Sequence, residues 1–335
     1  MKNVKTILVT GGAGYVGSGL VRDLLHNDYK VICVDTLSFG GESLLGIWGH
    51  KNFLFYCCDI NDYSRLDKIM EAHKFDAVIH LAAIVGDPAC EMQPDLALEV
   101  NWISTKRLLD RSIELGISRF IFSSTCSNYG KMENPKAYVT EKSPLNPVSL
   151  YAELKVRFEN YILHEIKKTS EFCPVALRFS TVYGISPRMR FDLTVNEFTK
   201  EVALGRELIV FGEQFWRPYC HVRDFSRAFI SVLQAQKDQV AYDVFNVGDT
   251  EENYTKKMLV DILEDKFPEA KIKFVEKNDD PRDYRVNSDK IKERLGFRIS
   301  RTVPEGIQEI EEILKAGIIQ NPEDQRYYNI PHSRP

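Results

Sequence analysis

The segment TGGAGYVGSGL, Thr10 to Leu20, most restricts what this 335-residue chain can fold into. An apolar strand-like run, KTILVT, leads into it, and GSGLVRDLLHND, with apolar positions three and four apart, continues it as a helix. Gly11, Gly14 and Gly17 fall where the chain must turn tightly from strand to helix, with Tyr15 and Val16 opening the helix inside the same loop. Backbone without side chains at that turn lets a pyrophosphate reach the helix N-terminus, where N–H groups lack intrahelical acceptors and the dipole favours negative charge. Three glycines alone also suit a plain turn. Here a strand precedes, a helix follows and an acidic residue comes about 20 positions later, so the loop predicts a dinucleotide site.

That acidic residue is Asp35, closing VICVD. A carboxylate at the end of a second strand accepts hydrogen bonds from ribose hydroxyls and repels a 2′-phosphate, and the following TLSFGGESLL holds no Lys or Arg. NAD is expected rather than NADP.

Further apolar runs, FLFYCCDI, DAVIHLA, RFIFSST and PVALRFSTVYG, alternate with amphipathic stretches such as YSRLDKIMEAH and LALEVNWISTKRLLDRSIELG. Nearly all-apolar strands separated by helices predict an α/β chain built on a doubly wound parallel sheet of the Rossmann type. The rhythm changes after Gly184, which predicts a smaller C-terminal α/β lobe. We expect residues 1–184 to form the NAD-binding domain, 217–248 to return to it, and 185–216 with 249–335 to form the second lobe. The polar stretch from Pro322 reads as a tail on the surface.

Forty-four Lys and Arg against 48 Asp and Glu give a net charge of −4, without the basic surplus of a nucleic-acid partner. No apolar run reaches membrane-spanning length. The seven cysteines are odd in number, show no C-x-x-C pair and have no histidines at metal-ligand spacing, which predicts reduced thiols, no metal and a cytoplasmic setting.

Tyr151 and Lys155 stand one turn apart in YAELK and share a helix face. Tyr138 and Lys142 match the same spacing, but in a turn-rich stretch. On the helix, the lysine charge together with a cationic nicotinamide is expected to lower the tyrosine pKa from about 10 toward neutrality, so that it takes a hydroxyl proton while hydride leaves the same carbon. Thr125 ends the strand RFIFSST, at the sheet edge where doubly wound folds bind ligands, and its hydroxyl is placed to share the substrate hydroxyl with Tyr151.

Taken together, GGAGYVG, Asp35, Asp59-Ile60, HLAA, Asn101, SSTCSNYG, Tyr151/Lys155 and RPYCHVRD resemble the extended short-chain dehydrogenase/reductase family, in particular its nucleotide-sugar epimerases, dehydratases and dehydrogenases. The resemblance runs from about Thr6 to Phe297. It implies that Asp59 and Ile60 contact adenine, that Leu81, Ala82, Ala83 and Asn101 belong to the cofactor site, and that Thr125, Tyr151 and Lys155 form a catalytic triad. It further implies a homodimer through the helical stretches 96–115 and 151–166. The substrate it implies is a nucleoside-diphosphate sugar, with Thr181 and the arginines Arg188, Arg190, Arg217 and Arg282 on the substrate side; a planar guanidinium suits a diphosphate.

Two departures narrow the reaction. A 4,6-dehydratase carries Asp and Glu after the catalytic Thr, where this chain has Cys126 and Ser127. The Asn common two residues before Tyr183-Gly184 is replaced by Thr181. Oxidation of a sugar hydroxyl, at C4, by an epimerase or a dehydrogenase is expected; reduction of a 4-keto sugar and a non-catalytic NAD-binding regulator are the alternatives. The SPRMRF and RDY segments add a looser similarity to bacterial GDP-heptose C4 dehydrogenases of capsule biosynthesis.

Overall fold

The apolar runs of the first half form one layer. Strands β1 (Thr6–Thr10), β2 (Lys30–Asp35), β3 (Phe53–Cys57), β4 (Ala77–His80), β5 (Arg119–Thr125) and β6 (Cys173–Phe179) pair in parallel, joined by a later strand, Asp243–Val247, in the spatial order Asp243–Val247, β6, β5, β4, β1, β2, β3. The structure, a computed structural model, describes residues 5–132, 134, 137–277 and 282–330. Alternation explains why these strands are apolar throughout: Ile7 and Val9 of β1 pack into one helix layer and Leu8 into the other, and Ile121 of β5 lies opposite Phe120 and Phe122. The strand order reverses between β1 and β4, and the carboxyl ends on either side of that switch open a crevice. The doubly wound parallel sheet is therefore the fold, as expected.

The helix α1 (Tyr15–His26) starts directly at Gly14 and packs against the helix Val222–Gln234. The stretch expected as one helix across residues 96–116 is Pro94–Leu98, a π-helical turn Glu99–Ser104, and Thr105–Glu114. A second π-helical turn, Tyr161–Glu165, ends the helix Leu150–Asn160, and the two turns meet through Trp102 and Tyr161, ring centroids 5.9 Å apart.

Three elements differ from the sequence reading. PVALRFSTVYG does not form one strand: the chain leaves the main sheet at Ser180, and β7 (Thr181–Tyr183) joins a second sheet. The second lobe adds β8 (Glu207–Phe211), and β9 (Trp216–His221) follows as the centre of that second sheet, flanked by β7 and by the strand Asn253–Thr255. Within 217–248, then, the return to the main layer begins only at Val222. Third, the tail from Pro322 does not simply lie on the surface. Tyr328 is buried with Met189, Phe191 and Ile310, its hydroxyl accepts from Lys200 Nζ at 2.9 Å, and the Phe191 N–H donates to the Tyr327 carbonyl. Residues 279–281 and 331–335, which belong to the DDPRDYRV segment and the tail, lie outside the described residues. Among the described residues no helix is long and apolar enough to cross a membrane.

Candidate active site

A cavity of about 590 Å³ runs along the carboxyl edge of the sheet at the switch between β1 and β4. Its floor is the glycine-rich loop. Gly11 has φ +73°, and a side chain there would place Cβ 2.7 Å from the Ala82 nitrogen; at Gly17, Cβ would stand 2.2 Å from the Gly11 carbonyl oxygen. The first holds the loop against the end of β4 and the second seats α1 on the loop. Gly14 precedes α1 without capping it by a side chain, which leaves the first-turn N–H groups of the helix facing the cavity.

Asp35 lies at one end. Its carboxylate accepts from the Ala13 N–H (2.9 Å) and the Leu37 N–H (2.8 Å), which fixes both oxygens beside the loop; burial nevertheless pushes its pKa up, against those hydrogen bonds. Tyr15, Val16, Asp59, Ile60, Leu81, Ala82 and Ala83 also line the cavity. The turn after β4 is held from below: Thr10 Oγ1 accepts from the Ala82 N–H and bonds His80 Nδ1 at 2.7 Å, and burial drives the His80 pKa down to about 3, keeping the ring neutral. Asn101 was expected at the cofactor, but it stands behind the wall. In its π-helical turn its amide accepts from the Ile84 N–H and donates to the Ile84 carbonyl, both at 2.9 Å, so both ends are spent on shaping the wall.

The other end collects the sequence-predicted reaction residues. β5 delivers Thr125, whose Oγ1 accepts from the Ser127 N–H at 3.1 Å and leaves its own O–H to donate. Ser149 caps the helix Leu150–Asn160 and brings Tyr151 and Lys155 onto the cavity wall, with Lys155 Nζ 5.8 Å from the Tyr151 ring centre. Lys155 Nζ donates to the Ser123 carbonyl at 2.8 Å, and burial lowers its pKa to about 8. The expected fall in the tyrosine pKa joins Lys155 to a cationic nicotinamide; Lys155 by itself does not produce it. Burial pushes the Tyr151 hydroxyl well up, Cys90 and Asp87 push the same way, and the opposing charge nearest in effect is Arg190.

Sequence reasoning missed the residue that locks these pieces together. Glu159 continues the four-residue spacing of Tyr151 and Lys155 on the same helix face, accepts from Ser124 Oγ at 2.8 Å, and takes both Arg178 Nε contacts at 3.1 Å. A buried carboxylate with its guanidinium thus ties the helix to the ends of β5 and β6. Its spacing was the available signal. Cys126, beside Thr125, is buried and donates its thiol to the Arg178 carbonyl; burial pushes its pKa far up, so it offers no proton to the cleft.

The residues assigned to the substrate side separate. Arg217 and Arg282 both bear on Tyr284: Arg217 lies 5.5 Å from its ring centre and donates to the Trp216 carbonyl, while Arg282 pairs with Asp87 at 2.8 Å. Neither lines the dinucleotide cavity, nor does Thr181, which alternates with the lining residues Ser180 and Val182. Arg190 does line it and is clasped by Asp192 through two 2.8 Å bonds. Arg188 lines the cavity too, at the Asp35 end, with its guanidinium carbon 4.3 Å from the Phe39 ring centre. Phe39 and Asn329, also on the wall, had no sequence signal.

Known proteins are similar to this chain in sequence and in fold. The UDP-glucose 4-epimerase of Halalkalibacterium halodurans is 32% identical over 259 residues, covering 72% of this chain and 75% of that protein. The solved UDP-glucose 4-epimerase of Thermotoga maritima with UDP-glucose superposes with a TM-score of 0.81 at 30% identity, over 93% of this chain and 99% of that one. UDP-glucuronic acid 4-epimerase from Bacillus cereus, in complex with UDP-glucuronic acid and NAD, gives a TM-score of 0.81 at 25% identity, with the same two coverages of 93% and 99%. The model of the NAD dependent epimerase/dehydratase family matches residues 7–248, from β1 to the end of the strand Asp243–Val247. A glycine floor that admits no side chain and a carboxylate held beside it fit the cofactor that this match requires: the chain belongs to the NAD-dependent epimerase/dehydratase family, with NAD as its cofactor.

Proposed function

We propose that the enzyme oxidises the C4 hydroxyl of a nucleoside-diphosphate sugar and returns the hydride to the opposite face, as a 4-epimerase. The observation that carries this reading is the convergence of Thr125, Tyr151 and Lys155 on one end of the NAD cleft, with a buried thiol and Ser127 where water elimination requires carboxylates. That the relatives named above are 4-epimerases supports return of the hydride over release of a keto sugar. The SPRMRF loop keeps a C4 dehydrogenase as the second reading.

Bound NAD supplies the hydride acceptor and a positive charge at this end of the cleft. Tyr151, acidified from its high resting pKa by positive charge there, takes the C4 hydroxyl proton as the hydride leaves the same carbon. Thr125 donates to the oxygen as it becomes a carbonyl. Lys155, with a pKa of about 8, is mostly charged at neutral pH and keeps the tyrosinate oriented. For epimerisation the keto sugar turns over and the steps run backward, so NAD is regenerated.

On this reading 1–184 with 217–248 serves the cofactor, and 185–216 with 249–335, carrying Arg282, serves the sugar nucleotide together with Arg217 at the junction. We further propose a cytoplasmic homodimer joined through the helices around Leu96–Leu115 and Tyr151–Ile166, where Leu96, Ile103 and Ile113 stand exposed. Light scattering that shows monomer alone at micromolar concentration removes the dimer. Mass spectrometry of the product tests the reaction: an unchanged mass with no net NADH is an epimer, loss of two hydrogens with NADH formed is a dehydrogenase, and loss of one water overturns both readings.

A further inference from the structure

Arg188 is a buried cation whose hydrogen bonds are not complete. Only 6% of the residue is exposed, yet Nε and Nη2 are shielded from solvent and have no hydrogen-bond partner among the described residues. Desolvating a guanidinium costs several kcal/mol unless acceptors replace the lost water. Arg188 has no ion pair among the described residues, and burial lowers its pKa to about 10. Its guanidinium carbon lies 4.3 Å from the Phe39 ring centre, a cation–π contact that uses none of its N–H groups as in-plane donors. Its backbone is fixed on α1, where its N–H meets Ser18 Oγ at 3.4 Å.

The side chain lines the NAD cavity at the end where Asp35 sits, among Ser38, Phe39 and Gly40. The loop that carries it is held from outside the sheet. Asp192 clasps Arg190 and accepts from the Asn329 N–H at 3.0 Å, and Asn329, its Oδ1 also buried without a partner, forms the neighbouring stretch of wall. A fixed cation with two idle donors, beside the carboxylate that takes the ribose, lacks an anion within the same nucleotide half.

We propose that Arg188 is a phosphate ligand of the dinucleotide, donating through Nε and Nη2 to phosphate oxygens next to the adenosine ribose. The same chemistry is available from the 5′-phosphate of NAD or from the 2′-phosphate of NADP. This inference rests on the NAD site and not on the sugar reaction, so it stands or falls separately from epimerisation.

Calorimetry on cofactor-stripped protein tests it, with adenosine, 5′-AMP and adenosine 2′,5′-bisphosphate as probes for wild type, Arg188→Gln and Arg188→Lys. In the wild type 5′-AMP is expected to bind at least tenfold more tightly than adenosine. Arg188→Gln should remove that gain while leaving adenosine itself within about twofold, and Arg188→Lys should recover part of it. If only the extra affinity for the bisphosphate is lost, the phosphate contacted is the 2′ group. If Arg188→Gln and Arg188→Lys both bind all three probes as the wild type does, the proposal is wrong. Melting of each stripped variant, compared with the wild type, separates a lost ligand from a lost fold.

Discussion

The cofactor cleft has two walls of different origin. One consists of residues at or just past the carboxyl ends of β1, β2, β4 and β5, and each lies next to its strand in sequence: Gly11 to Gly17, Asp35, Leu81 to Ala83, Thr125. The other is brought in from afar, by Arg188 and Arg190 after β7 and by Asn329 close to residue 330. In the near wall the buried carboxylate has both oxygens bonded, since Asp35 accepts from the Ala13 and Leu37 N–H groups. In the far wall Nε and Nη2 of the buried Arg188 guanidinium and the Asn329 amide oxygen have no partner among the described residues. A finished wall is what a fold supplies by itself. An unfinished one points to what is meant to lie between the two.

This contrast can be broken by substitution. The largest effect belongs to the near wall: Tyr151→Phe should cut turnover by about two orders of magnitude or more while NAD binding is retained, the scale of positioned proton transfer. Tyr138→Phe, at an exposed ring, should leave turnover unchanged; equal losses in the two variants would place the base elsewhere. An effect of similar size comes from Lys155. Its folded pKa of about 8 lies below the unfolded value, so between about pH 8 and 10 the unfolded chain binds the extra proton and stability rises with pH, at about 1.4 kcal/mol per unit of pKa difference. Denaturant melts of cofactor-free wild type against Lys155→Met should therefore show the wild type gaining on the variant as the pH rises through that window, and a constant gap would contradict the burial of a charged Lys155.

Smaller effects separate sugar from cofactor. Arg217→Ala should weaken nucleotide-sugar binding by about 1.5–3 kcal/mol, the worth of a hydrogen bond to a charged group, with less effect on NAD. Should NAD suffer equally, Arg217 serves the cleft from which the structure separates it. NAD should bind at least tenfold more tightly than NADP, about 1.4 kcal/mol. Equal affinities by calorimetry would mean that Arg188 cancels the charge of Asp35 at the ribose. Least of all, Cys126→Ser should leave turnover within about twofold, because a serine hydroxyl can replace the thiol as donor to the Arg178 carbonyl.

The same division explains what was legible in the sequence. The parallel sheet was, because its inner strands are buried on both faces and so apolar at most positions, and the glycine loop was, because its spacing is local. The break at Ser180 was not: Phe179 and Val182 are both apolar, and only the pairing of Thr181 with Tyr219, far along the chain, moves β7 into another sheet. Asn101 carried the right composition for a ligand, and a π-helical turn spends it on Ile84 instead. The duties of Arg188 and Arg282 depend on contacts with Phe39 and Asp87, more than a hundred residues away, which no spacing rule records. The polar tail concealed Tyr328, a single aromatic whose burial draws Asn329 to the cleft.

That last attachment sets an order of events during synthesis. Residues 327–329 leave the ribosome after every strand of the main sheet, so a nascent chain can assemble its glycine loop and present Asp35 while the Asn329 part of the outer wall is still missing. Cofactor captured at that stage rests in an open groove. It becomes enclosed only when Tyr328 reaches Lys200.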